Sequence, residues 1–169
     1  PTHRQKGVAA ALMTHALQSA RERGDVTSAL YPFRFSFYQK LGYGAAGIAL
    51  QYLVPPDALP ASDERARIER METAQQQREA LELYGGWIRV HNGQIERNGR
   101  MWERACTAND VGLVGYRTEQ GALAGYALVA YRVDLPVNDR YLEVKELVWT
   151  SDQARNGLIG WLASLGDQW

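Results

Sequence analysis

Hydrophobic residues near the start of the chain recur every three or four positions, which is the spacing of one helical face. The pattern predicts a helix from about Gly7 to Arg23, and Gly24 supplies a stop signal. The residues that form this face are Val8, Ala9, Leu12, Met13, Ala16, Leu17 and Ala20.

The next 31 positions favour short elements. "VTSALYPF" (26–33) and "AAGIALQYLVP" (45–55) are rich in strand-forming residues and predict strands. Between them, "SFYQKLGYG" predicts a short helix that ends at Gly42. An order of helix, strand, helix and strand is typical of an α/β unit.

Prolines separate this part from the rest of the chain. "PPDALPASDE" (55–64) contains three of them and predicts a linker. The alternating charges of "DERARIER" (63–70) indicate a solvated face.

Beyond residue 70 the pattern predicts two helices, three strands and a last helix. The helices are "TAQQQREALELYGGWIRVHNG" and "IERNGRMWERAC", and the strands cover 110–118, 122–133 and 140–150. The last helix, "SDQARNGLIGWLASLG", has Ser151 or Asp152 as its expected N-cap.

Composition excludes several classes of protein. Nineteen basic residues balance nineteen acidic ones, which argues against a nucleic-acid scaffold. A single cysteine rules out an internal disulfide framework, and the spacing of the three histidines does not favour a metal site. The sequence has no apolar run of about 18 residues, the length that a membrane span requires. We therefore expect no membrane partner and a cytoplasmic location.

The segment "RQKGVA" (4–9) places basic residues and a glycine at the start of the first helix. Unpaired N–H groups and the helix dipole favour an anion there, and Gly7 lets phosphate oxygens approach the backbone. The segment differs from a Walker loop, since Val8 and Ala9 follow the glycine. An ordinary helix start with solvated basic residues is the alternative.

Together, "PTHRQKG" and "YPFRFSFYQKLGYG" (31–44) resemble the second half of a GCN5-related N-acetyltransferase (GNAT). More narrowly, they are similar to the enhanced intracellular survival (Eis-type) family. The resemblance implies an α/β fold with a mixed sheet and tandem GNAT-like units. Residues 1–54 would be the C-terminal half of a catalytic domain whose beginning lies upstream, and 65–169 a second, degenerate domain.

The resemblance also implies a site and a reaction, in which acetyl-CoA donates an acetyl group to a primary amine of an aminoglycoside, polyamine or lysine. Phe33 and Arg34 would line the pantetheine, and Tyr38 would be the general acid that protonates the CoA thiolate. From the residues alone, aromatic packing is the alternative for Tyr38. The pyrophosphate would lie on Arg4, Gln5, Lys6, Gly7, Val8, Ala9 and Ala10.

The second copy departs from the motif. In "SDQARNGLIGW", Ala154 stands where the motif has Arg or Gln, and Asp152 adds a negative charge. We therefore expect this unit to be structural, in a parent protein that forms homo-oligomers. Two other functions remain open: a CoA-binding or sensing module without catalysis, and a structural pair for oligomer assembly.

Overall fold

The computed structural model describes residues 7–107, 110–136 and 139–166. Contacts divide the chain into a first unit, Pro1–Gln51, and a second unit, Tyr52–Trp169. The first unit contains helix α1 (Val8–Glu22) and the short helix α2 (Phe35–Gln39), as the sequence predicts. Both helices are followed by a glycine with positive φ, Gly24 at 82° and Gly42 at 90°, a conformation that glycine adopts without a steric penalty.

The predictions of strands at 26–33 and 45–55 are wrong. Residues 26–33 and 45–55 form no strand, and Val26 and Ile48 are 95% and 90% exposed. A strand requires a neighbouring strand to complete its backbone hydrogen bonds. Neither segment has such a neighbour among the described residues, so hydrophobic composition alone does not make it a strand.

The second unit is built on a four-stranded antiparallel sheet in the order β1–β2–β3–β4. Its strands are β1 (Ile68–Arg70), β2 (Val111–Arg117), β3 (Leu123–Arg132) and β4 (Tyr141–Trp149). The last three match the predicted runs, whereas β1 was not predicted. The described sheet is antiparallel throughout, which corrects the expectation of a mixed sheet.

Helices cover both faces of this sheet. Helices α3 (Ala74–Ile88) and α4 (Gly99–Cys106) pack on one face, around a core that includes Tyr126. Helix α5 (Asp152–Ala163) packs on the other face, where Leu158 is fully buried. Ser151 is its N-cap, as predicted, with its side chain accepting a hydrogen bond from Ala154 N.

The charged run 63–70 is not simply solvated. Asp63–Arg67 forms a 3-10 helix and Ile68–Arg70 forms the edge strand β1. The Glu64 carboxylate accepts a hydrogen bond from the buried Tyr116 hydroxyl. The predicted linker 55–64 belongs to the second unit and contains the 3-10 helix Pro56–Ala58. The proposed domain limits remain a prediction.

None of the described helices is long and apolar enough to cross a membrane.

Candidate active site and relatives

The start of α1 leaves its first backbone amides available to a ligand. Gly7 is the N-cap, with φ 76° and ψ 0°, and it offers no side-chain cap. The first helical hydrogen bond runs from Ala11 N to Gly7 O at 3.0 Å, so the N–H groups of Val8, Ala9 and Ala10 lie before the helical ladder begins. The first turn carries no acidic residue. This arrangement favours an anion over a cation.

Tyr38 lies on α2 in a cluster of aromatic rings. Its ring meets Phe37 edge-on at 5.0 Å between centroids, Phe33 at 5.4 Å and Tyr43 at 5.9 Å. Edge-to-face pairs of this kind fix the orientation of a ring. Among the described residues, the Tyr38 hydroxyl has no hydrogen-bond partner, and its side chain is half-buried. These ring contacts hold the Tyr38 side chain in place.

The backbone after α2 turns back on Tyr38. The Tyr38 carbonyl oxygen accepts hydrogen bonds from Leu41 N at 2.9 Å and Tyr43 N at 3.2 Å. The Tyr43 hydroxyl is 2.6 Å from Ser28 Oγ, which ties the turn to the segment after α1. Tyr43 is therefore a packing partner, whereas the Tyr38 hydroxyl has no hydrogen-bond partner among the described residues.

The predicted site residues lie in two groups within the first unit. The first group is the start of α1, with Gly7, Val8, Ala9 and Ala10. The second group lies at the start of α2, where Phe33 is 72% exposed and Arg34 is the N-cap. None of the described side-chain hydrogen bonds, ion pairs or ring contacts joins the two groups. Arg4, Gln5 and Lys6 lie outside the described residues. The site assignment stays a prediction.

Helix α5 of the second unit is built differently at its start. Ser151 caps α5, and Asp152 occupies its first turn, so negative charge and a side-chain oxygen already lie at this helix end. Gly157, which follows Ala154 at the spacing of the motif glycine, packs against another element. A Cβ there would be 2.5 Å from Tyr116 Cδ2 and 3.1 Å from the Glu64 carbonyl oxygen. This glycine permits close packing of α5 on the sheet.

Sequence reasoning missed one polar network in the second unit. Glu146 on β4 binds Arg97, whose Nη1 and Nη2 are 2.9 and 2.5 Å from its two carboxylate oxygens, and it accepts a hydrogen bond from the Tyr126 hydroxyl. The Arg97 guanidinium also lies 4.4 Å from the ring centroid of Tyr84. The Glu146 side chain is only 15% exposed, although it lies on a strand that also carries Glu143 and Lys145. Its partner lies 49 residues away, so no local pattern reveals the pair.

The environment of this network keeps its neighbours protonated. Burial and the hydrogen bond to Glu146 raise the pKa of Tyr126 far above its usual range. Burial raises the pKa of the Cys106 thiol to about 11. A thiol with such a pKa is protonated at neutral pH and is a poor nucleophile, so Cys106 acts as a packing residue.

Two family models match parts of the chain, and both describe an acetyltransferase (GNAT) domain. They cover residues 1–46 and 93–169. An uncharacterized N-acetyltransferase of Streptomyces avermitilis is 28% identical over 108 residues, which is 60% of this chain and 26% of the relative. An uncharacterized N-acetyltransferase of Streptomyces griseus is 25% identical over 111 residues, 62% of this chain and 27% of the relative.

Solved structures share the fold over nearly the full chain. A GCN5-related N-acetyltransferase from Anabaena variabilis superposes with a TM-score of 0.81 and 22% identity, covering 99% of this chain and 43% of its own. A protein of Enterococcus faecalis V583 described as a "Probable N-Acyltransferase" gives a TM-score of 0.74 and 18% identity, covering 99% and 42%. The chain spans about a quarter of the length of the curated relatives. Residues 1–46 and 93–169 are similar in sequence to acetyltransferase (GNAT) domains.

Proposed function

We propose that this chain is part of an acetyl-CoA-dependent N-acetyltransferase of the Eis type, with tandem GNAT units. The first unit holds the cofactor, and the second is a degenerate, structural copy. The observation that carries the proposal is the start of α1. It has a glycine N-cap with positive φ, no side-chain cap and no acidic residue in its first turn, within a segment that matches a GNAT domain.

The chemistry follows from the residues that this unit supplies. The pyrophosphate of acetyl-CoA accepts hydrogen bonds from the amides of Gly7 to Ala10, and Arg4 and Lys6 add positive charge. A primary amine attacks the thioester carbonyl, forming a C–N bond while the C–S bond breaks, and the amine nitrogen releases one proton to water. Tyr38, whose hydroxyl has no hydrogen-bond partner among the described residues, protonates the leaving thiolate. Phe33 and Arg34 line the pantetheine side.

The test measures CoA release by the full-length protein with acetyl-CoA and a panel of polyamine, aminoglycoside and peptide amines. We expect Tyr38→Phe to lower kcat by about 10²- to 10⁴-fold, the usual contribution of a general acid, while acetyl-CoA affinity is retained. We expect Arg4→Ala to weaken acetyl-CoA binding. Tyr31→Phe is the matched control, because Tyr31 is 94% exposed and lies outside the aromatic cluster.

Three outcomes separate the possible functions. Loss of kcat in Tyr38→Phe, with Tyr31→Phe unchanged, supports the general acid. Acetyl-CoA binding without turnover of any amine contradicts the enzyme hypothesis and supports a CoA-binding module. Absence of acetyl-CoA binding refutes the assignment of the α1 start.

A further inference from the structure

The turn after α2 joins Tyr38 to Tyr43 through the backbone and through the side chains. Tyr43 N donates to the Tyr38 carbonyl oxygen at 3.2 Å, and Gly42 N donates to the Gln39 carbonyl oxygen at 3.1 Å. With Gly42 at φ 90°, these two hydrogen bonds form a Schellman motif. A side-chain contact often accompanies this motif, and here the Tyr43 ring meets the Tyr38 ring edge-on at 5.9 Å between centroids. The position of Tyr43 therefore constrains that of Tyr38.

Ser28 holds Tyr43 from outside this turn. Its Oγ shares a hydrogen bond of 2.6 Å with the Tyr43 hydroxyl, and the two residues are 15 positions apart. The other described side-chain hydrogen bond within residues 7–51 joins Arg23 to Asp25, only two positions away. Among the described side-chain hydrogen bonds of this range, Ser28 thus makes the one that ties the α2 turn to a remote segment.

The other two rings around Tyr38 belong to its own stretch of chain. Phe37 precedes it on α2, and Phe33 lies just before that helix. These rings orient Tyr38 relative to α2, but they leave the helix itself untethered. The Ser28 hydroxyl links the aromatic cluster to the segment after α1, so it determines where α2 and its tyrosine lie relative to that segment.

We propose that Ser28 is a positioning residue for acetyl transfer. Its hydrogen bond to Tyr43 holds the α2 turn and, through that turn, the Tyr38 hydroxyl that protonates the CoA thiolate. The inference rests on the proposed function, because it requires Tyr38 to be the general acid. A general acid must lie within hydrogen-bond distance of the atom that it protonates, and a displacement of about 1 Å slows the reaction. Ser28 itself touches no reacting atom.

The experiment measures steady-state kinetics of the full-length protein with acetyl-CoA and spermidine, kanamycin or a lysine peptide, whichever amine has the highest kcat/KM. Ser28→Ala removes the hydrogen bond, and we expect it to lower kcat by about three- to tenfold, the scale of one hydrogen bond. The KM for acetyl-CoA should be unchanged, because Ser28 and Tyr43 lie outside the proposed cofactor contacts.

Ser36→Ala is the matched control. Ser36 is exposed on α2, two positions before Tyr38, and has no described side-chain hydrogen bond. This variant makes the same substitution closer to Tyr38 in sequence, and its kcat should equal that of the wild type. Circular dichroism verifies that both variants fold.

Two further variants test whether the hydroxyl pair is responsible. Ser28→Thr keeps the hydroxyl at an exposed position with room for the added methyl group, so it should retain the kcat of the wild type. Tyr43→Phe keeps the ring beside Tyr38 but removes the other hydroxyl, so it should lose as much kcat as Ser28→Ala. The double variant should lose no more than either single one, because both changes break the same hydrogen bond.

A cycle with Tyr38→Phe tests whether Ser28 acts through Tyr38. Once the Tyr38 hydroxyl is absent, its position no longer matters, and Ser28→Ala should have no further effect on kcat. General damage to the unit would instead lower kcat by the same factor with and without that hydroxyl.

Three results would overturn the inference: wild-type kcat in Ser28→Ala, an equal loss in Ser28→Ala and Ser36→Ala, or the same loss from Ser28→Ala in both backgrounds of the cycle. Each leaves the proposed function intact if Tyr38→Phe loses kcat as expected. A Tyr38→Phe variant with wild-type kcat, or a wild type without turnover, refutes the general acid and the role of Ser28 with it.

Discussion

Gly157→Ala tests whether the retained glycine of α5 serves packing or ligand binding. The added Cβ would lie 2.5 Å from Tyr116 Cδ2, 2.8 Å from Cε2 and 3.1 Å from the Glu64 carbonyl oxygen. Relief is difficult, because Tyr116 is only 3% exposed and its hydroxyl is bound to the Glu64 carboxylate. Overpacking of this kind costs about 1–3 kcal/mol. The gain in helix propensity returns up to about 1 kcal/mol.

The expected net effect is a loss of about 1–2 kcal/mol in the free energy of unfolding. Gly85→Ala is the matched control: it is also a helical glycine, but its Cβ meets nothing within 4 Å, so it should stabilise by about 0.5–1 kcal/mol. The two variants should therefore differ by about 1.5–3 kcal/mol, with opposite signs relative to wild type.

Urea unfolding followed by tryptophan fluorescence is the appropriate assay. All five tryptophans lie beyond residue 51, so the signal reports the second unit alone. If Gly157→Ala is as stable as wild type or more stable, the tight contact with Tyr116 does not govern the choice of glycine. The packing account of α5 would then be refuted.

Two other changes have defined outcomes. Glu146→Gln should destabilise the second unit by about 1–2 kcal/mol in urea unfolding, because it weakens the bidentate pair with Arg97. Glu103→Gln is the control and should leave stability unchanged. An equal effect of both changes would contradict the network. Tyr116 links stability to alkaline pH: burial, followed by the hydrogen bond to Glu64, raises its folded pKa to about 12 from about 10 in the unfolded chain. Its contribution to the free energy of unfolding is thus complete below pH 10 and is lost as the pH rises towards 12. The Tm of Tyr116→Phe should therefore fall less steeply over that interval than the Tm of the wild type.

The helices were predictable from sequence because their signals are local. The hydrophobic face of α1, the Ser151 cap of α5 and the glycine after α2 each act within a few residues. Strands β2 to β4 were predictable for a similar reason: β2 and β3 are largely apolar runs, and β4 is rich in aliphatic and aromatic residues although it also contains Glu143, Lys145 and Glu146. β1 was not predicted, because it has only three residues, two of them charged, and is defined by its pairing with β2.

What the sequence could not show depends on distant partners. The runs 26–33 and 45–55 have the composition of strands, but strand formation depends on a neighbour that the local pattern does not specify. Glu146 has no local signal of burial, because its partners, Arg97 and Tyr126, are brought to it by the α3–α4 connection and the sheet register. Both cases depend on long-range contacts, which a local sequence pattern does not specify.

Helices α1 and α5 begin in different ways, although a similar sequence pattern stands at both starts. In α1, a glycine with positive φ precedes the helix, and among the described residues no carboxylate in the first turn and no capping side chain competes for the first amides. In α5, the serine cap and Asp152 occupy that end, and Gly157 faces Tyr116. A phosphate group binds to free amides at a helix start, so this difference supports our proposal that the cofactor binds the first unit. In the second unit, α5 packs on the sheet around the buried Leu158.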